Sequence, residues 1–155
     1  MAGKGHVGKA GHLAAMAEFL LRGYNVAMPE VDIGDDIFVV HDQRGQLWRT
    51  QVKTAVGQKT RRGYRGKYAV TLEQMMTSKD PDLFYVFALR RDTTWEFMVI
   101  PREALVSQYM EHDAGSQAGE RVVFTLHFSD SDVICSGQDW QRFRNNWPEW
   151  PALSD

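Results

Sequence analysis

The sequence predicts an α/β domain in which a mixed central β-sheet is flanked by helices. The first observation is a helical pattern near the N-terminus, which is followed by three strand-like segments. The second is a short helical segment that leads into two strongly apolar strands joined by a polar turn. Helices and strands in this order form layered structures in which the helices cover a sheet.

The first helix is predicted over residues 9–22. Gly23 supplies a C-terminal stop for it. The apolar side chains at helical spacing are Leu13, Met16, Ala17, Leu20 and Leu21. A short strand is predicted over residues 24–28, and Pro29 ends it.

A hairpin is predicted next, with strands at 36–41 and 47–54 around a turn at 42–45. The later elements are a loop at 56–67, a helix at 71–78, strands at 83–90 and 95–100, a helix at 102–112, a loop at 113–120, a strand at 122–128 and a short helix at 139–147. We expect one domain over residues 1–155, because this length and a hydrophobic fraction of 43% suit a single core.

The charge and cysteine content narrow the class of protein. A net charge of -2 means that any nucleic-acid contact would come from a local patch of cations. Cys135 is the single cysteine and cannot form an internal disulfide, and no apolar run approaches membrane-spanning length. The N-terminus also lacks the apolar stretch of a secretory signal. We therefore expect a cytoplasmic protein with no membrane partner, a flexible basic arm at residues 1–8 and an aromatic C-terminal segment at 139–155.

Glycines near the N-terminus imitate two nucleotide-binding patterns. Residues 3–8 fit G-x-G-x-x-G, and their continuation to Lys9 and Ala10 nearly fits a phosphate-binding loop. Both patterns need a strand immediately before the glycines, and Ala10 lacks the hydroxyl that would hold magnesium. We therefore expect no nucleotide cofactor.

Polar side chains converge where the predicted hairpin opens. Asp36 directly precedes an apolar strand, while Gln51 and Lys53 lie on one face of the next strand and Val52 on the other. A divalent cation needs hard oxygen ligands, and a phosphodiester under attack needs positive charge near the developing negative charge. The combination therefore favours metal-assisted phosphodiester chemistry over a solvated hairpin.

The acidic residues beside Asp36 have two interpretations. On an extended chain Asp35 points away from the side that Asp36 occupies, so only one of the two reaches a metal. Glu30, Asp32 and Asp35 are either outer ligands, ligands of a second metal, or residues that cap the turn.

This pattern resembles the PD-(D/E)xK nuclease superfamily, and it is most similar to archaeal Holliday-junction resolvases and related small endonuclease-like domains. The resemblance extends to about residue 60 and beyond it only by element order. It implies a restriction-endonuclease-like core, with Asp36 as the metal-binding aspartate, Gln51 at the acidic "D/E" position and Lys53 as the motif lysine. His12 stands where the family has an acidic residue on a preceding helix.

The resemblance implies a metal-dependent DNA endonuclease that uses Mg²⁺ or Mn²⁺. Asp36, the Gln51 oxygen and the Val52 carbonyl would hold the cation. Lys53 would orient the attacking water and stabilise the transition state, and His12 would face the metal or handle a proton. The resemblance also implies a homodimer and structure-guided cleavage, with branched or junction DNA as a candidate substrate.

Three alternatives stay open. Because His12 and Gln51 replace carboxylates, the chain could be a degenerate nuclease fold that binds nucleic acid or another protein. It could also be the nuclease component of a defence system. His12 could equally be a structural helix residue that is bonded to a backbone carbonyl.

A run of cations follows the predicted hairpin. Its members are Lys59, Arg61, Arg62, Arg65 and Lys67, and Lys4 and Lys9 add charge at the start of the first helix. Their position after the site strand favours contacts to DNA phosphates over a purely solvated face.

Aromatic residues dominate the C-terminal segment. They are Trp140, Phe143, Trp147 and Trp150. Their spacing, with Pro148 and Pro151 nearby, indicates packing onto the sheet or a second subunit rather than stacking on bases.

Overall fold

The structure is a computed structural model that describes residues 2–31 and 34–148. It is a mixed α/β fold in which two β-sheets pack on each other and helix α1 covers the first sheet. The elements are α1 (Lys4–Leu21), β1 (Asn25–Ala27), β2 (Ile37–His41), β3 (Gln46–Val56), β4 (Gln58–Lys59), β5 (Tyr64–Thr71), α2 (Leu72–Met76), β6 (Leu83–Arg91), β7 (Thr94–Pro101), α3 (Arg102–His112), β8 (Ser116–Ala118), β9 (Arg121–Phe128), β10 (Val133–Cys135), β11 (Gln138–Asp139) and a final 3-10 turn (Gln141–Phe143).

The first sheet is mixed and has the strand order β1-β2-β3-β6-β7. β3 pairs in parallel with β6, whereas the other neighbours are antiparallel. One face of this sheet carries Val39, Val52 and Val86, which are buried against Phe19 of α1 and Trp147. The predicted hairpin and the prediction of a mixed sheet flanked by helices are therefore confirmed.

The opposite face of the first sheet packs against the second sheet, which has the order β11-β10-β9-β5-β4, with β8 also paired to β9. Tyr68 of β5 stacks on Phe87 of β6, with the ring centroids 4.6 Å apart. Phe87 is paired in register with Lys53, and Tyr85 with Gln51. Because paired residues share a face, Gln51 and Lys53 belong to the side of β3 that faces the second sheet, while Val52 faces α1.

The predicted loop at 56–67 is wrong, because these residues complete β3 and form the β4–β5 hairpin. β5 alternates buried and outward residues, but cations and glycines interrupt the apolar pattern. Gly63 is required by packing: a Cβ there would lie 1.9 Å from the carbonyl oxygen of Phe128. Close approach between backbones explains this glycine better than a loop does.

Three smaller predictions also need correction. α1 begins at Lys4, so the flexible arm at residues 1–8 is wrong from residue 4 onward. The predicted helix at 139–147 is only a 3-10 turn after β11, and the loop at 113–120 contains β8. Strand β10 was not predicted, because three residues are too few for a periodic signal. None of the helices in the described residues is long and apolar enough to span a membrane.

α1 is held close to β3 by the absence of a side chain at Gly11. A Cβ at this position would lie 2.0 Å from Oγ1 of Thr54. We predict that Gly11→Ala lowers the free energy of unfolding by about 2 kcal/mol through overpacking, and that adding Thr54→Ala recovers part of the loss. Urea unfolding monitored by circular dichroism measures both effects.

Gly8→Ala is the matched control, because a Cβ at Gly8 meets no atom within 4 Å. This substitution should stabilise the helix by about 0.5 kcal/mol. Equal effects of the two substitutions would mean that Gly11 is not a packing contact.

Candidate active site at the open edge of strand β3

The candidate site forms where β2 begins and β3 continues past it. The register of the two strands places Ile37 opposite Thr50, and the Asp36 backbone N–H donates to the Thr50 carbonyl at 2.8 Å. Beyond this point the Asp36 side chain replaces a backbone partner for β3, because its Oδ2 accepts the Val52 N–H at 2.8 Å. Since the N–H and C=O of a strand residue point to the same side, the Val52 carbonyl faces this edge as well. Asp36 and Val52 thus lie together at this edge.

Gln51 lies beside this edge on the face that the second sheet covers. Its side chain is buried, and its Oε1 lies 3.4 Å from Nε2 of Gln74 on α2. Lys53 is half-buried on the same face, two residues further along β3. The amide and the ammonium therefore share one face of β3, and the Asp36 carboxylate lies at the strand edge between that face and α1.

His12 approaches Asp36 from α1, on the other face of the sheet. Burial lowers the pKa of His12, although the nearby Asp36 carboxylate and a hydrogen bond to the Asp36 backbone oppose this shift. Its Nε2 atom is buried and has no hydrogen-bond partner among the described residues. A lowered pKa favours the neutral imidazole, whose unprotonated nitrogen is a lone-pair donor.

Asp35 supports the turn before Asp36. Its carboxylate is fully buried and pairs with Nη1 of Arg49 at 2.7 Å and with Nζ of Lys79 at 3.1 Å. The two adjacent aspartates therefore have separate partners. That only one of them serves a metal stays a prediction. Glu30 is exposed, and Asp32 lies outside the described residues.

The groups around this edge include donors of the kinds that divalent cations bind. The described residues hold no group of three or more His, Cys, Asp or Glu side chains that could bind a metal ion. They do supply one carboxylate from Asp36, neutral oxygens from Gln51 and Val52, and the unpartnered nitrogen of His12. Hard oxygens suit Mg²⁺ or Mn²⁺, while the imidazole shifts the preference toward transition metals.

The predicted cation run is divided between two grooves of the second sheet. Arg65 and Lys67 of β5 line a cavity of about 240 Å³ together with Ala55, which follows Lys53 on the same face of β3. Arg61 and Arg62 line a separate groove of about 540 Å³ with His127 and Ser131. Lys59 is exposed on β4. Arg65 and Lys67 thus lie near the end of β3 that follows Lys53, whereas Arg61 and Arg62 lie at the hairpin tip.

Lys4 and Lys9 lie on α1 rather than on an arm. Lys4 begins the helix and is exposed, and Nζ of Lys9 lies 3.5 Å from Sδ of Met28. Lys9 is also close enough to His12 to help lower its pKa, after the larger effect of burial. Lys9 is therefore the cation on α1 that adjoins the candidate site.

The aromatic C-terminal residues are packing residues. Trp140 is fully buried and its Nε1 donates to Oε1 of Gln108 at 2.9 Å. Phe143 and Trp147 are also buried. The packing interpretation is confirmed for these three, and Trp150 lies outside the described residues.

No protein-family model matches the chain, and no curated protein matches it. Among solved structures, it is similar to the bacterial homing endonuclease I-Ssp6803I, with 20% sequence identity and a TM-score of 0.61. The similarity covers 95% of this chain and 90% of the endonuclease chain. The two chains share a fold. The predicted nuclease-like α/β core is therefore confirmed.

Sequence reasoning missed the residues that surround Gln51. Gln74 and Tyr85 form a hydrogen-bonded group with it, although Gln74 lies 23 residues away in the chain. Gln74 belongs to a short helix with no distinctive motif, and Tyr85 is one of several aromatic strand residues. Only the register of β3 with β6 and the position of α2 bring the three side chains together.

The buried Asp35 should contribute to the stability of the fold. We predict that Asp35→Ala lowers the free energy of unfolding by about 3 kcal/mol, because it leaves Arg49 and Lys79 without their buried partner. Asp42→Ala, at an exposed position of the same hairpin, should change it by less than about 0.5 kcal/mol. Urea unfolding of both variants gives the comparison, and a loss of similar size in both would show that the buried ion pairs do not hold the turn.

Proposed function

We propose that the protein is a divalent-metal-dependent DNA endonuclease of the PD-(D/E)xK type. The observation that carries the proposal is the Asp36 carboxylate at the open edge of β3, beside Gln51 and Lys53 on the same strand. The similarity in fold to I-Ssp6803I, whose name describes it as a homing endonuclease, supports a nuclease role. A DNA partner follows from that role.

A few groups would bind the metal and act on the phosphodiester. Asp36, the Gln51 oxygen and the Val52 carbonyl would hold the metal, which supplies Lewis-acid charge for phosphodiester hydrolysis. The ammonium of Lys53 orients water toward the phosphorus and stabilises negative charge that develops on the phosphate oxygens. His12 supplies a neutral nitrogen beside Asp36, either to the metal or to a proton in transit.

The DNA backbone would lie along the β4–β5 hairpin. Residues 57–67 contain five cations and no acidic residue. In the described part of the chain, Lys59, Arg61, Arg62 and Lys67 form no ion pair, and Arg65 bonds only to the neutral amide of Gln58. By contrast, Arg49, Lys79 and Arg102 all bind carboxylates. Uncompensated cations beside the site are suited to phosphates and do not read sequence.

The finer features of the function stay predictions. They are structure-guided cleavage of branched or junction DNA, a homodimer, and a cytoplasmic location. A second candidate function is a degenerate nuclease fold that only binds nucleic acid. It is favoured by one observation, which is that the described residues hold no group of three or more His, Cys, Asp or Glu side chains that could bind a metal ion. Cleavage of plasmid and four-way-junction DNA with Mg²⁺ or Mn²⁺ separates the two.

We predict that Asp36→Ala and Lys53→Ala each abolish DNA cleavage while the protein stays folded. Both side chains act at the reaction centre and contribute little to either apolar core. The measurement is the initial cleavage rate at saturating Mn²⁺, with circular dichroism as the test of folding. Asp42→Ala serves as the control and should cleave at the wild-type rate. A variant of Asp36 or Lys53 that retains full activity would remove the proposed site.

The two cation groups should both contribute to DNA affinity but differ in their effect on cleavage. Neutralising Arg65 and Lys67 to Gln should weaken binding and slow cleavage, because these residues share a cavity with Ala55, two residues beyond Lys53 on β3. Neutralising Arg61 and Arg62 should weaken binding alone. Each lost phosphate contact should reduce the slope of log affinity against log salt by about one unit. Arg44→Gln, at the exposed turn of the β2–β3 hairpin, is the control. An unchanged salt slope in both double variants would mean that the DNA binds to another surface.

His12 should determine the metal preference. If its nitrogen contributes to the metal site, Mn²⁺ should support more activity than Mg²⁺, and His12→Glu should raise Mg²⁺ affinity by supplying an anionic oxygen. Calorimetric titration of both proteins with both ions measures this. Metal affinities that do not change on substitution would show that His12 is a structural residue.

A further inference from the structure

Gln74 connects the turn before Asp36 to the candidate site. Its Nε2 donates to the Gly34 carbonyl at 2.7 Å and lies 3.4 Å from Oε1 of Gln51. Its Oε1 accepts the hydroxyl of Tyr85 at 3.1 Å. The fit is close, because a Cβ on Gly34, whose φ is +99°, would lie 2.6 Å from Nε2 of Gln74. One side chain therefore contacts the turn before Asp36, the neighbouring strand β6, and Gln51.

These contacts fix the orientation of the Gln74 amide. A backbone carbonyl only accepts hydrogen bonds, so the Gly34 contact requires the NH₂ group on that side. The oxygen then faces Tyr85, which donates to it. The second N–H of the same NH₂ group is directed toward Gln51. Gln51 therefore presents its oxygen to Gln74, because its own NH₂ group there would place two donors against each other.

The orientation matters because Gln51 occupies the position of an acid. A carboxylate has two equivalent oxygens, and either one can ligate a cation. An amide has one oxygen and one NH₂ group, and a flipped amide would turn N–H donors toward the cation. A neutral ligand in this position thus needs an orienting partner that a carboxylate would not need.

We propose that Gln74 is a positioning residue for the metal site. Its N–H engages one lone pair of the Gln51 oxygen and so fixes that oxygen, whose second lone pair is left for the cation. The inference rests on the proposed function, since it assigns Gln74 a role toward the same metal. Tyr85 and the Gly34 carbonyl fix Gln74, and Gln74 fixes Gln51. Gln74 itself does not touch the substrate or the metal.

A double substitution tests the inference by Mn²⁺ calorimetry, which does not depend on cleavage. Gln74→Leu should weaken Mn²⁺ binding about tenfold or more in the wild-type background. In the Gln51→Glu background the same change should weaken binding by less than about threefold, because a carboxylate needs no orientation. Gln74→Asn, which withdraws the amide by one methylene, replaces Gln74→Leu if that protein does not fold.

Gln108→Leu is the matched control. Gln108 is a buried glutamine on α3. Its side chain accepts a hydrogen bond from Trp140, and it lies outside the metal site. Its loss should lower the unfolding temperature without changing Mn²⁺ affinity. Equal losses of affinity for Gln74→Leu in both backgrounds, or no loss in either, would overturn the inference. Wild-type protein that binds no Mn²⁺ would overturn the proposed metal site itself, and the two failures are therefore distinguishable.

Discussion

β3 pairs with β2 only from Gln46 to Thr50, yet it continues along β6 to Val56. The backbone groups of Val52 would be left unsatisfied at this edge, and an unpaired buried N–H is costly. The Asp36 carboxylate accepts that N–H, and this bond fixes the carboxylate beside the strand that carries Gln51 and Lys53. The candidate site is thus a consequence of two strands of unequal length, because their offset leaves an edge to which a carboxylate and a carbonyl are both directed.

The surrounding structure stabilises this arrangement from both faces of the sheet. On one face, the contact of Gly11 with Thr54 sets the distance of α1 and so brings His12 to Asp36. On the other, α2 brings Gln74 to Gln51. The buried Asp35, paired with Arg49 and Lys79, holds the turn between them. Two neutral side chains, His12 and Gln51, are thereby held near one carboxylate.

The parts of the fold that follow from local pattern could be predicted from the sequence. The β2–β3 hairpin has alternating strands around turn residues, and this alternation placed Gln51 and Lys53 on one face. The β4–β5 hairpin was missed, because Gly63 and Gly66 serve contacts with distant parts of the chain that no local pattern reveals. The role of Gln74 is hidden for the same reason, since only the packed sheets bring it to Gln51.

In the proposed function, Asp36, Gln51 and Val52 hold a divalent cation at the open edge of β3. The most direct test is a crystal structure of the protein grown with Mn²⁺, with diffraction recorded near the manganese absorption edge. We expect an anomalous peak within coordination distance of an Asp36 carboxylate oxygen, the Gln51 Oε1 and the Val52 carbonyl. A peak elsewhere, or none at this edge with Mn²⁺ in excess, would contradict it.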